Sequence, residues 1–488
     1  MTLDGRTRWL ALLVLCLGDV MIVLDTTIVN VALPSIREDL GFSETSLAWV
    51  VNAYILTFGG FLLLGGRLGD LFGYRRLFVI GIAFFTLASL ACGLATSQGV
   101  LVGARAIQGL GGAVVSAVAL SLIMILFTEP AERAKAMGIF GFVLSGGGSA
   151  GVLLGGVLTD TFDWHWIFLV NIPIGVLVFF LSFRLLPGAA GQAAGQRLDV
   201  AGAVTVTAAL MLAVYAIVNG NEAGWGSGQT LGLLAGAGAL LALFLVIEAR
   251  HPSPLVPLRL FRLRNLATAN VAGALMAAGM FAAFFLSALY LQLVLGYSPL
   301  EVGLAYLPST VIWGAASLFL SDKLVMRYGI KTPLVAGLSL MGLGILLFAR
   351  APVDGSFAMD VLPAMVLQGF GAGIAFNPLL LAAMGDVEPQ ESGLASGVVN
   401  TAFMMGGALG LAALASLAAS RTESLLDSGD GALFALTGGY HAAFLGGALL
   451  TLAAAALAGA LLQPSAAMPH GEHAEGAEPA PAGATGRD

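Results

Sequence analysis

Apolar residues in this chain do not alternate with polar ones; they come in long runs. Stretches of 18 or more residues pass with few charges, and each is long enough to cross a hydrocarbon core as a helix. The runs predict fourteen spans, near 10–33, 47–66, 77–96, 101–126, 137–159, 166–186, 200–219, 230–249, 267–294, 303–320, 332–350, 361–383, 392–418 and 440–462.

Composition removes any soluble alternative. The chain is 58% hydrophobic and 10% charged, with a mean hydropathy of +0.94, whereas soluble domains carry about 25% charged residues. The expected fold is an all-α integral membrane protein. Much of the net charge of −7 sits in loops and in the acidic C-terminal segment. No basic patch with interleaved aromatics occurs, so no nucleic-acid partner is expected. The two cysteines, Cys16 and Cys92, lie in apolar runs, which supports neither a disulfide framework nor a thiolate metal site. There is no Ser/His/Asp, Cys/His or metal-ligand cluster and no phosphate-binding loop. The sequence therefore points to no enzyme, no metal, no cofactor and no ATP-driven pump. Arg6 and Arg8 precede the first run, but no small-residue cleavage site follows, so this run reads as a retained first helix. Lysine is scarce beside arginine, and Ala and Gly are abundant, a composition associated with high-GC bacteria.

Cationic residues orient the spans, because cytoplasmic loops collect Lys and Arg. With the N-terminus inside, only Arg37, Arg350 and Arg421 of the 21 lysines and arginines fall outside; Arg105 is inside a helix and the remaining 17 are cytoplasmic. One missed span would invert every later loop. The expectation is a multi-pass protein of a bacterial cell membrane with both termini cytoplasmic.

The chain also repeats itself. "RAIQGLGGA" (105–113) resembles "MVLQGFGAG" (365–373), "SGGGSAG" (145–151) matches "MMGGALG" (404–410), and "LGFSETSLAWV" (40–50) matches "LGYSPLEVGLA" (295–305). Helices 1, 4 and 5 thus correspond to helices 9, 12 and 13. The predicted organisation is a six-helix half at 1–186, two inserted helices with their linkers at 187–265, a second six-helix half at 266–463, and a disordered cytoplasmic tail at 464–488. Two parallel six-helix halves around a central site form a transporter architecture. Channel filter sequences are missing.

Symmetry explains shared glycines but not unshared charges. Arg105 aligns with Met365, and Asp25 with Met280. A charge at a helix centre costs roughly 2.5–3.5 kcal/mol on insertion scales, and such a group usually faces the bundle interior with a partner. Asp25 and Arg105 lie at similar depth. They form either a static tie between helices 1 and 4 or a proton site, since burial and a neighbouring cation pull a carboxyl's proton affinity in opposite directions. Asp19, six residues earlier, either lines the cavity or is a hydrogen-bonded core acid.

Two glycine-rich stretches complete the set. "GGRLGDLFGYRR" (65–76) lies at the cytoplasmic turn between helices 2 and 3. Gly66, Gly69 and Gly73 permit a tight turn and close approach, Asp70 can accept from a helix N-terminus, and Arg75 and Arg76 can pair with acids of the other half. A purely topological basic loop is the plainer reading. In "GGSAGVLLGGVL" (147–158), Gly147, Gly151 and Gly155 share a face as small-xxx-small packing, followed by Gly156.

Together these stretches resemble the major facilitator superfamily, specifically its 14-helix drug:proton antiporter branch. "LDTTIVNVALP" (24–34) looks like that branch's helix-1 signature. "GGRLGDLFGYRR" is similar to the superfamily's loop 2–3 motif, "RAIQGLGGA" to its helix-4 motif, and "DWHWIFLVNIPIG" (163–175) to the segment leading into helix 6. The likeness covers the chain up to about residue 464. It implies a gating role for Asp70 and Arg75, a proton-relay role for Arg105 and an essential acid at Asp25. The family's helix-5 motif has a proline before its final paired glycines; here Val152 follows Gly151, which removes a kink.

The expected function is proton-coupled secondary active efflux of hydrophobic or amphiphilic small molecules, as in drug or antibiotic export by alternating access. The partners are lipid bilayer, a small hydrophobic substrate and protons, and the chain acts as a monomer. The alternatives are proton-coupled uptake of a metabolite and a non-transporting receptor on the same fold. The expected cavity lining is Asn52, Tyr54, Gln108, Tyr290, Gln292, Trp313, Phe376, Asn377, Asn400 and Met404.

Overall fold

The computed structural model describes residues 5–188, 199–384, 387 and 392–463, apart from scattered side chains within helices, Asp70 among them. The expected tail at 464–488 lies outside the described residues. Within them the chain is helical and forms no strand. The first half comprises α1 (Gly5–Leu40), α2 (Glu44–Phe72), α3 (Tyr74–Gly93), α4 (Gln98–Leu126), α5 (Pro130–Thr161), α6 (Trp166–Leu169) and α7 (Asn171–Leu185). Two helices follow, α8 (Val200–Ala223) and α9 (Gly228–Arg250). The second half comprises α10 (Arg264–Leu289), α11 (Pro299–Ala316), α12 (Asp322–Tyr328), α13 (Lys331–Phe348), α14 (Leu362–Met384), α15 (Ser392–Asp427) and α16 (Ala432–Leu461). Single π turns at Tyr290–Val294, Ser317–Ser321 and Phe357–Val361 extend α10, join α11 to α12 and precede α14.

Among the described residues, thirteen helical segments are long and apolar enough to cross a membrane, and α5, at 32 residues, has the length for a fourteenth. Large apolar side chains such as Leu87, Phe180 and Phe319 point outward at 65–68% exposure. That is a surface suited to lipid, not water. Every predicted span lies at a helix, but several helices overrun the apolar run. The first extends from Gly5 to Leu40, because backbone hydrogen bonding continues through polar residues until a cap or a glycine ends it. The sixth span is broken at Val170 into α6 and α7.

The internal repeat becomes a packing rule. Gly41 (φ 69°) and Gly296 (φ 71°) take the same left-handed conformation, which glycine adopts without steric cost. Each precedes a helix started by a serine capping box, Ser43 with Ser46 and Ser298 with Glu301. A Cβ on Gly109 of α4 would lie 2.3 Å from the Tyr54 carbonyl of α2, and one on Gly369 of α14 would lie 2.5 Å from the Ser309 carbonyl of α11. Gly111 and Gly371 press in the same way on α3 and α13. Backbone contact this close allows no side chain, so α4 and α14 are each held between two neighbours.

Helices α8 and α9 pack on each other, and α8 also leans on α2 and α15. Asn221 donates to the Ser416 carbonyl at 2.8 Å, and Ser416 to that of Ile217 at 3.2 Å. The segment leading to α10 is tied back by the Val256 amide, which donates to Glu248 at 3.0 Å. The two halves meet along α2 with α15 and α5 with α11. At the end of the bundle away from the N-terminus, Gln292 donates to the Val31 carbonyl of α1 at 2.8 Å. There a Cβ on Gly156 would lie 2.7 Å from the Pro299 carbonyl.

Candidate functional site

Helix α1 runs between α5 on one side and α4 and α7 on the other. Its α5 face is pinned by glycines: Cβ atoms on Gly151 and Gly155 would collide with Leu24, Thr27 and Ile28. This seam fixes the depth and rotation of the turn that carries Asp25. Gly147 makes only ordinary contact with Val20 and Val23, and Gly156 faces α11 of the other half.

Asp25 and Arg105 are fully buried, at 0% and 1% exposure, and form an ion pair. Arg105 Nη1 donates to Asp25 Oδ2 and, at 2.7 Å, to Gln108 Oε1; its Nε donates to the Val50 carbonyl at 2.9 Å. The guanidinium lies 4.4 Å from the Tyr54 ring centre and 5.6 Å from that of Phe168. The second carboxylate oxygen, Asp25 Oδ1, accepts from Gln108 Nε2 at 2.7 Å and Asn171 Nδ2 at 3.1 Å. The same two amides donate to Ser89 Oγ, at 2.7 and 3.0 Å. Five side chains from α1, α3, α4 and α7 thus close one network. Two buried charges repay their desolvation only when such extra hydrogen bonds satisfy their remaining atoms.

Arg105 sits here because Ser97 caps α4 two turns earlier, placing it where α2 presents the Val50 carbonyl. Asn171 sits here because the break at Val170 restarts the helix beside Asp25. Ser89, Phe168 and Asn171 were not singled out from sequence. Asn171 does lie within the quoted segment 163–175, as a polar residue in an apolar run; Ser89 gives no signal.

Asp19 forms a separate site. It is buried at 2% exposure and accepts from Ser116 Oγ of α4, while its Oδ2 has no protein partner.

The expected cavity residues scatter. Gln108 belongs to the charge network, and Tyr54 lies under its arginine. Tyr290 is buried and donates to the Pro352 carbonyl at 2.7 Å, holding a loop at the end of the bundle. Gln292 joins the halves. Asn52 is completely buried on α2 with both amide atoms lacking a partner. Phe376 of α14 packs edge-on to Phe403, as does Phe281 of α10. Asn377 donates to the Ser317 carbonyl at 3.3 Å, and Trp313, Asn400 and Met404 are half-buried. Met404 lies against Gly59, on the seam of the halves. Tyr290, Gln292 and Asn377 take carbonyls offered by other elements, and Asn52 takes none; spacing along one helix does not reveal this.

The 65–76 turn also differs from expectation. A Cβ on Gly66 would make only ordinary contact with Ala117, at 4.0 Å, and the close approach to α4 falls to Gly65 and Gly69. Gly73 adopts φ 91° to end α2 and start α3. Arg75 reaches the Leu186 carbonyl at the C-terminal end of α7 at 3.4 Å, within its own half, where a cation complements the helix dipole. Arg76 is exposed. The Asp70 side chain lies outside the described residues.

A family model described as Major Facilitator Superfamily matches residues 15–411. The puromycin resistance protein pur8 of Streptomyces alboniger is 39% identical over 437 residues, covering 89% of this chain and 86% of that protein. The cephamycin export protein CmcT of Amycolatopsis lactamdurans is 38% identical over 458 residues, covering 93% of each. Among solved structures, an auto-inhibited POT family peptide transporter superposes with a TM-score of 0.66 at 16% identity, over 96% of this chain and 99% of that one; at that identity the likeness concerns the fold.

Proposed function

Because the chain belongs to the Major Facilitator Superfamily, we propose that it exports hydrophobic or amphiphilic small molecules, antibiotics among them, in exchange for protons. It is a multi-pass membrane transporter and not an enzyme. Its relatives named for puromycin resistance and cephamycin export cover most of its length, which supports export over uptake.

The observation that supports proton coupling is the buried Asp25–Arg105 network, which one half has and its repeat lacks. The aligned residues of the second half are Met280 and Met365, and Gln368, the counterpart of Gln108, leaves its amide nitrogen without a partner. With Asp25 ionised, Arg105 compensates its charge and binds α1 to α4. A proton on Asp25 removes the attraction; Arg105 keeps Gln108 and the Val50 carbonyl, and α1 is released to shift against α4. Substrate arrival favours the reverse. A proton crossing 100 mV supplies about 2.3 kcal/mol, and no cofactor is needed. The chain works as a monomer in a bacterial cell membrane with both termini cytoplasmic, so a reporter fused after residue 463 is active only in its cytoplasmic form.

The test is a drug-susceptibility panel in a pump-deficient bacterial host. Expression raises resistance to neutral and monocationic amphiphiles, and a protonophore abolishes the accompanying efflux. Resistance that survives the protonophore removes the proton as driver. No change across the panel removes export.

A further inference from the structure

Both oxygens of Asp25 are served and its network leaves Asn171 Oδ1 unpartnered; below it two further buried polar atoms lack a protein partner. Tyr54 is 1% exposed and its hydroxyl has no protein partner; Asp19 is 2% exposed and its Oδ2 has none. In folded proteins such atoms are rarely left orphaned, and an ordered water commonly serves them.

Their placement fits one bridging water. The Tyr54 ring starts under the Arg105 guanidinium and runs along α4, so that its hydroxyl would lie 3.0 Å from a Cβ on Gly112. One turn further along α4 is Ser116, the residue that donates to Asp19. A helical turn advances ~5.4 Å, about the length of two hydrogen bonds end to end. The two acids themselves are six residues apart on α1, ~9 Å along its axis, too far for direct transfer. Among the described residues, Gly18 beside Asp19 faces Phe78 and Ile82 of α3, and Val20 and Val23 face Gly147 of α5.

We propose that Tyr54, with one water between its hydroxyl and Asp25 and another between its hydroxyl and Asp19, carries protons between Asp25 and Asp19. Asp19 is then the port on the N-terminal side of the proton site. The inference rests on the proton-coupling reading of Asp25. In the transfer, a water on the Asp25 side, near Gln108 one turn of α4 before Gly112, takes the Asp25 proton and gives one to the Tyr54 hydroxyl as the hydroxyl gives its own to the second water, and that water passes one to Asp19. Asp25 loses one proton, Asp19 gains one, and tyrosine and water end as they began. Ser116 holds Asp19 by its other oxygen and keeps Oδ2 turned to the route. Tyr54 acts as a positioning and relay residue whose ring also supports Arg105.

The experiment is a pH jump on the purified full-length protein, followed by time-resolved infrared absorption of protonated carboxyl groups. The Asp25 signal is assigned as the band missing in Asp25→Asn. Tyr54→Phe keeps the ring under Arg105 and removes only an unpartnered hydroxyl, so its melting temperature is at least that of the unmodified chain. It slows protonation of Asp25 by about tenfold or more. Asp19→Asn slows it similarly, and the double variant is no slower than the slower single one, because both lie on one route. An unmodified rate in Tyr54→Phe, or single effects that multiply in the double variant, overturns the relay. If Asp25→Asn loses no carboxyl band, the reading of Asp25 as the proton site fails first, and the relay with it.

Discussion

At Asp25 the buried carboxylate is served on both oxygens, and this makes the consequences of substitution specific. Asp25→Asn keeps the shape, and its amide can still bond Gln108 or Asn171. It should abolish substrate-induced proton release from purified protein while sparing substrate binding and downhill exchange. Release at the unmodified level, followed with a pH-sensitive dye, would place the carrier elsewhere. Arg105→Ala should cost far more stability, on the order of 3–5 kcal/mol, because it strands a buried charge. The double variant Asp25→Asn/Arg105→Ala should recover part of that loss in thermal melts; simple additivity would show that the two groups are not coupled. Arg105→Lys is no conservative change either, since one ammonium cannot reach Asp25, Gln108 and the Val50 carbonyl from one plane. Asp25 and Arg105 were legible in the sequence because charges in apolar runs are rare and these two have no counterpart in the repeat. Ser89 and Asn171 were not, because a neutral polar residue in a helix can as well bond its own backbone. Tyr290 shows the opposite error, an aromatic assigned to a cavity that serves a loop.

Between helices, glycine decides who approaches whom. Gly151 and Gly155 set α5 on the turn of α1 that holds Asp25, so the small-xxx-small stripe and the charge network form one device. Gly151→Leu should push the helices apart, cost several kcal/mol beyond the 1–3 typical of overpacking, and eliminate both monodisperse protein and export. Gly66→Ala, whose Cβ would make only ordinary contact with Ala117, should leave both unchanged. Equal tolerance at the two sites, judged by size-exclusion profile and export rate, would contradict this account. The number and order of helices could be read from the sequence because a hydrocarbon core demands long apolar runs. Their ends could not, since helices continue past that core until a cap. The break at Val170 and the three π turns also left no pattern to find, for they depend on what the neighbouring helix offers to bond.

Over the whole molecule, the repeat showed which helices of the two halves correspond, but not that each half holds its fourth helix between two others, nor how the halves face each other. That seam carries an unresolved tension. Asn52 lies two turns before Gly59, on the face of α2 that meets α15, and both its amide atoms are orphaned. A buried unpaired polar group costs about 1–3 kcal/mol, so this arrangement of the halves is held back from being too stable. Asn52→Leu should raise the melting temperature and slow turnover by trapping the state described here; a lowered melting temperature with faster turnover would refute it. The other end of the seam offers a way to watch such movements. Cys16 and Cys92 are the chain's only cysteines, and both are buried, at 2% and 0% exposure. The unmodified protein is therefore dark to polar thiol reagents. Cysteines introduced by Val31→Cys and Gln292→Cys, where the halves now touch, would report against an empty background: fastened by a short cross-linker while the seam is shut, and separately labelled each time it parts.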